Sequence, residues 1–145
     1  MYSKSIVFAV LLTLSLSLSA QSGISFVQMD SWSQVLEKAA AEEKLIFMDA
    51  YTTWCGPCKM MNSNIFPLEE VGAFYNANFV NVKIDMEKGE GIDLAKTYSV
   101  NAYPTFLFVN AEGKLVHKGL GYQEVESFLD LGRAALDPSQ QFGTL

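Results

Sequence analysis

Apolar and polar positions change their spacing several times along this chain, and each change marks an element. Residues 24–29 read as a short strand. Asp30 and Ser31 are good helix caps, and Trp32, Val35, Leu36 and Ala39 then recur at i, i+3, i+4 and i+7, one apolar face of a helix. Residues 45–51 are apolar on both alternating faces except at Asp49, the pattern of a central strand covered on both sides. A helix is expected to start near Cys55. Ile65-Phe66-Pro67 interrupts it, and residues 68–76 resume helical spacing, with Pro67, Glu69 and Glu70 suited to a first turn. Residues 79–85 form a further strand and residues 92–98 a short helix. Residues 105–109 and 114–118 flank the turn Asn110-Ala111-Glu112-Gly113 and read as a hairpin. A last helix covers about residues 123–136, with Val125, Phe128 and Leu129 inward. Strands alternating with helices, closed by a hairpin and a helix, predict an α/β fold: a three-layer α/β/α sandwich around a central mixed β-sheet.

The first 20 residues follow a different rule. One positive charge at Lys4 precedes an apolar run from Ile6 to Leu18, 13 residues long. That length suits the core of a secretory signal peptide and falls short of the roughly 20 residues a membrane span needs. Ser19-Ala20 before Gln21 marks a cleavage point, although Leu18 is larger than such sites prefer. The reading is a signal peptide over residues 1–20 and one domain over residues 21–145, exported and periplasmic, with secretion or an uncleaved anchor as the alternatives. No Cys follows the apolar run to carry a lipid. Loss of Lys4 leaves 9 basic residues against 16 acidic ones, a shift in net charge from −6 to −7. An acidic domain with scattered lysines has no electrostatic footprint for nucleic acid or anionic lipid. There is no internal repeat, and nothing else is apolar enough to span a bilayer.

The chemistry is concentrated in Trp54-Cys55-Gly56-Pro57-Cys58-Lys59, which holds both cysteines of the chain. A C-x-x-C pair can ligate metal, attach haem, or cycle between dithiol and disulfide. Structural zinc wants four Cys/His ligands, and His117 is the only other soft ligand here. Haem attachment needs a His after the second Cys, where Lys59 stands. Redox cycling remains. Neither metal nor organic cofactor is expected; the redox group is the Cys55–Cys58 disulfide itself. In an exported domain without further cysteines, stability must come from the core.

The chain resembles the thioredoxin superfamily over residues 24–136. Three landmarks fall in order: the acidic residue in Asp49-Ala50-Tyr51, the Trp54-Cys55-Gly56-Pro57-Cys58-Lys59 run, and Tyr103-Pro104-Thr105, whose Pro lies 46 residues after Cys58. Small cytosolic members usually carry a Pro five residues after the second Cys, where this chain has Ser63, and here the break is delayed to Phe66-Pro67. That layout, with Phe79-Val80-Asn81-Val82-Lys83-Ile84-Asp85 and Ala102-Tyr103-Pro104-Thr105-Phe106, is closer to exported bacterial thioredoxin-like proteins. It is also similar to the periplasmic C-terminal domain of the membrane thiol-reductant transporter. Asn81 stands where many members place a Lys near the buried Asp, so no lysine partner is carried over.

The resemblance implies a role for each landmark. Cys55 at a helix N-terminus is the attacking thiolate, favoured there by unpaired N–H groups and the helix dipole. Cys58, one turn on and deeper, resolves the mixed disulfide. Asp49, costly to bury alone, accepts the Cys58 proton. Trp54, Gly56, Pro57, Tyr103 and Pro104 form the substrate groove, with Pro104 after a cis bond and the Tyr103 backbone free to pair with an extended client. Gly121 either leaves room for that client or is a simple turn glycine. His117 is expected to face solvent, Met60 and Met61 to pack inside, and residues 87–90 to form a solvated loop. Gly-Pro between the cysteines is the pair of reducing thioredoxins, which poise near about −270 mV against about −120 mV for strong oxidants. The expectation is a protein-disulfide reductase: a monomer acting on disulfide-containing proteins, among them misoxidised ones and apocytochrome c, and recharged by a membrane thiol-reductant donor. A disulfide oxidase or isomerase, and a redox relay or binding module for one dedicated partner, are the alternatives.

Overall fold

Ser31 accepts a hydrogen bond from the Gln34 N–H and so caps α1 (Trp32–Glu42), whose Val35 and Ala39 are buried as the apolar stripe requires. The computed structural model describes residues 22–141, so the expected signal peptide lies outside the described residues. After α1 come β1 (Leu45–Tyr51), α2 (Gly56–Asn64), α3 (Glu69–Asn78), β2 (Phe79–Asp85), α4 (Gly91–Thr97), β3 (Thr105–Val109), β4 (Leu115–Leu120) and α5 (Val125–Leu136). The strands form one mixed sheet in the order β2-β1-β3-β4, with β1 parallel to β2 and antiparallel to β3. No helix among the described residues is long and apolar enough to cross a membrane.

Strand alternation sends successive side chains of β1 and β3 to opposite faces, and each face has its own core. Ile46, Met48 and Ala50 join Leu107 and Val109 against residues of α1 and α4, among them Val35, Ala39 and Leu94. Phe47, Phe106 and Phe108 face α2, α3 and α5 and meet Met61, Val71, Tyr75 and Phe128. This second core is aromatic. The Phe47 ring lies 4.8 Å from Tyr75, 5.4 Å from Phe108 and 5.6 Å from Phe128, and Tyr75 stacks on Phe128 at 4.4 Å. The Tyr75 hydroxyl, which would be costly to bury unpaired, donates to the Phe128 carbonyl at 2.7 Å.

Residues 24–29 depart from expectation. They form no strand, because their backbone finds only scattered partners. The Ile24 N–H donates to the Phe66 carbonyl and the Val27 N–H to the Asn81 carbonyl, both at 2.8 Å, while the Ser25 N–H goes to the Asn76 side chain at 2.8 Å. The segment is therefore a strap across α3 and the edge of β2. Asn76 clamps it, accepting from Ser25 and donating to the Gly23 carbonyl at 3.0 Å. Gly72 of α3 lets the strap approach so closely that an added Cβ would sit 2.3 Å from the Gly23 backbone.

Gly72→Ala is expected to lift the strap and cost on the order of 1–3 kcal/mol, the usual range for overpacking where backbone must move. Urea denaturation gives the loss, and faster amide exchange at Ile24 and Val27 locates it. Unchanged exchange there would show that the strap is not held by this contact.

Candidate redox site

β1 ends at Tyr51, and a four-residue connection delivers the chain to the start of α2. Cys55 is the N-cap of that helix, and its sulfur accepts the Cys58 N–H at 3.1 Å. Pro57 lies in the first helical turn, where the missing N–H costs nothing. Cys55 and Cys58 are joined in a disulfide with Cα atoms 5.3 Å apart. Both residues are 2% exposed, so Cys58 is not the deeper of the two in this oxidised state. With both sulfurs bonded to each other, each lies against the same helix end.

Tyr103 and Pro104 reach the dithiol loop because β3 runs antiparallel to β1, which pairs Thr105 with Ala50. The Tyr103–Pro104 bond is cis, as expected. Trp54 is 66% exposed and meets Tyr103 edge-on with ring centres 5.9 Å apart. Its indole N–H donates to the Glu87 carboxylate. Residues 87–90 are thus wired to the site and to α1, since the Glu90 carboxylate accepts the Trp32 N–H at 2.7 Å. Gly121 has a φ of +76° and donates its N–H to the Pro104 carbonyl at 2.8 Å. The left-handed backbone requires glycine whatever else the position does.

Asp49 points to the same face of β1 as Phe47, toward α2, and is 1% exposed. The register of the parallel pair sets Lys83 directly across from it. The Lys83 ammonium lies 2.5 Å from Asp49 Oδ2, while Asp49 Oδ1 has no hydrogen-bond partner. Burial pushes the Asp49 carboxyl above the ordinary carboxylate range, and the Lys83 charge pulls against it. A lysine therefore does pair with Asp49, but it is Lys83 and not a residue at the position of Asn81. Asn81 serves the strap instead, donating to the Tyr75 carbonyl and the Asn76 side chain. Two further expectations fail. Met60 is exposed while Met61 is buried, because only Met61 falls on the inward face of α2. His117 is half-buried beside Phe108, 6.1 Å between rings, and burial pushes its pKa down. Among the described residues no cluster of His, Cys, Asp or Glu could hold a metal ion.

The family model that describes thioredoxin matches residues 23–131. Thioredoxin-1 of Drosophila melanogaster is 41% identical over 76 residues, which are 52% of this chain and 66% of the fly protein. A solution structure of a disulphide-isomerase candidate from Bacteroides thetaiotaomicron is 41% identical with a TM-score of 0.72, covering 80% of this chain and 95% of that one. The DsbD C-terminal domain of Neisseria meningitidis, in its oxidised form, is 22% identical with a TM-score of 0.59, covering 72% of this chain and 93% of that one, a likeness of fold alone.

A carboxyl whose pKa is raised by folding holds its proton more tightly folded than unfolded. Its contribution is most favourable at low pH and is lost as pH climbs from the unfolded to the folded value, leaving a net cost above it. Asp49→Asn is therefore expected to stabilise the protein at neutral pH, because the amide is as polar as the carboxyl but carries no charge to desolvate. The advantage should shrink as pH falls through the folded value. Urea denaturation at several pH values checks this, and an advantage independent of pH would refute the assignment.

Proposed function

The chain belongs to the thioredoxin family of thiol–disulfide oxidoreductases, with Cys55 and Cys58 as its redox-active pair, and from that premise we propose that it is a protein-disulfide reductase working in the periplasm. The observation that carries the reading is the placement of the Cys55 sulfur as the cap of α2, accepting the Cys58 N–H. A thiolate at that point is stabilised by the same N–H and by the helix dipole. Pro57 offers no side-chain donor beside it, unlike the His that oxidising members use.

In this reading the Cys55 thiolate attacks one sulfur of a client disulfide. The client S–S bond breaks, a Cys55–client disulfide forms, and the departing thiolate takes a proton from solvent. Cys58 then gives its proton to Asp49, whose Oδ1 is open to receive it, and the Cys58 thiolate attacks Cys55. The second client thiolate leaves and the Cys55–Cys58 disulfide remains. Two electrons have passed to the client, and a membrane thiol-reductant donor returns them. Trp54, Gly56, Pro57, Tyr103 and Pro104 form the docking groove, the Tyr103 backbone pairing with an extended client segment.

A second reading, disulfide isomerisation, draws support from the Bacteroides neighbour at 41% identity. The reduction potential of the Cys55–Cys58 couple, equilibrated against a thiol–disulfide buffer, separates the two. A value near or below about −250 mV is expected for the reductase, and one above about −180 mV would overturn it. Cys58→Ser is expected to abolish multiple-turnover insulin reduction and to accumulate mixed disulfides with several client proteins on non-reducing gels. Cys55→Ser should accumulate none. Capture of one protein alone would point to a dedicated relay.

A further inference from the structure

Methionine in a core ordinarily fills gaps, and its thioether is a weak hydrogen-bond acceptor. Met61 does more than fill space. It stands three residues after Cys58, one turn along α2, and is fully buried. Its Sδ accepts the Gln123 N–H at 3.4 Å. Gln123 precedes Glu124, the N-cap of α5, so its N–H belongs to no helical ladder. The Gln123 side chain closes the turn between β4 and α5 on itself, donating from Nε2 to the Leu120 carbonyl at 3.0 Å. On the other side, Gly121 donates its N–H to the Pro104 carbonyl at 2.8 Å. Residues 120–123 are therefore bonded to the dithiol helix at one end and to the cis-proline segment at the other.

We infer that Met61 is a positioning residue for client docking: its bond to the Gln123 N–H sets residues 120–123 against Pro104, beside the groove that takes an extended protein segment. The inference rests on the docking groove assigned above. The turn is otherwise lightly held. Leu120 is 55% exposed, and a Cβ added at Gly121 would meet open space, so Tyr122 on the aromatic core is its main packing contact. Segments with few buried contacts open locally at little cost, and one hydrogen bond to a rigid helix then decides how often the turn is in place. A leucine at position 61 would fill the same volume but leave the Gln123 N–H without its acceptor. The two kinds of disulfide should feel this differently. A small disulfide has only to reach Cys55, whereas a protein segment must also run along the Tyr103–Pro104 backbone and the turn bonded to it.

The test compares wild type with Met61→Leu and with Gln123→Ala, which removes the side-chain bond to Leu120 at a half-buried position and keeps the N–H. Amide exchange in the oxidised protein is expected to speed up at Gln123 and Gly121 in Met61→Leu, with the strands unchanged. Each reduced protein, freed of excess dithiothreitol, is then mixed with insulin or with glutathione disulfide. Both variants should react with insulin about three- to tenfold more slowly, as for loss of one neutral hydrogen bond, and with glutathione disulfide within about twofold of wild type. Equal slowing with both disulfides would assign Met61 to the fold or to Cys58 and overturn the inference. So would an unchanged insulin rate, or Gln123 exchange indifferent to the loss of the sulfur. Gln123→Ala decides the matter if Met61→Leu does not fold. The two rates are compared in a single encounter, so a high reduction potential would remove the reductase reading and leave this comparison standing.

Discussion

A strand buried on both faces offers no side on which a charge is cheap, and β1 carries one at Asp49. That constraint organises the rest of the site. The carboxylate needs a counter-charge, and the parallel register with β2 brings Lys83 opposite it. Lys83 in turn must be held at a position where water could reach it, and rings from the strap, β1 and the α2–α3 connection close around it. The strap, the helix break and the dithiol helix are thus connected through one carboxylate.

The two faces of the sheet divide the labour. The face toward α1 and α4 is largely aliphatic, and the face toward α2, α3 and α5 is built on Phe47 and its neighbouring rings. Aromatic pairs in edge and offset contacts add about 0.5–1.5 kcal/mol each beyond their burial, and α2 packs on this core through Met61. The dithiol lies at the carboxyl end of β1, and the antiparallel β3 starts where β1 ends, which brings residues 46 positions apart to one surface. The site therefore follows from strand direction as much as from the motif.

What the sequence disclosed tracks what is local. The strands at Leu45–Tyr51, Phe79–Asp85 and Thr105–Val109 were legible to the residue, since their apolar patterns and bounding turns are written in the segments themselves. The helix start at Cys55 was legible for the same reason. Lys83 was not, because its meaning depends on the register between two strands separated by two helices, and a family position pointed to Asn81. The strap read as a strand because an extended apolar run looks the same whether or not a continuous ladder receives it. Glu87 was hidden in a loop of charges and glycines, and its hydrogen bond to Trp54 becomes visible only when the ends of β1 and β2 are side by side.

The burial of the disulfide bears on how the protein keeps its own redox state. Exchange is limited by access to the sulfur under attack, and Cys55 and Cys58 each expose 2% of their surface while the adjoining Trp54 exposes 66%. A small thiol arriving from solution finds little sulfur surface to attack. A folded partner that docks beside the bond would gain contact area at the exposed Trp54 as it approaches. Exchange at such a site is governed by how a reactant fits before it is governed by how much of it is dissolved nearby.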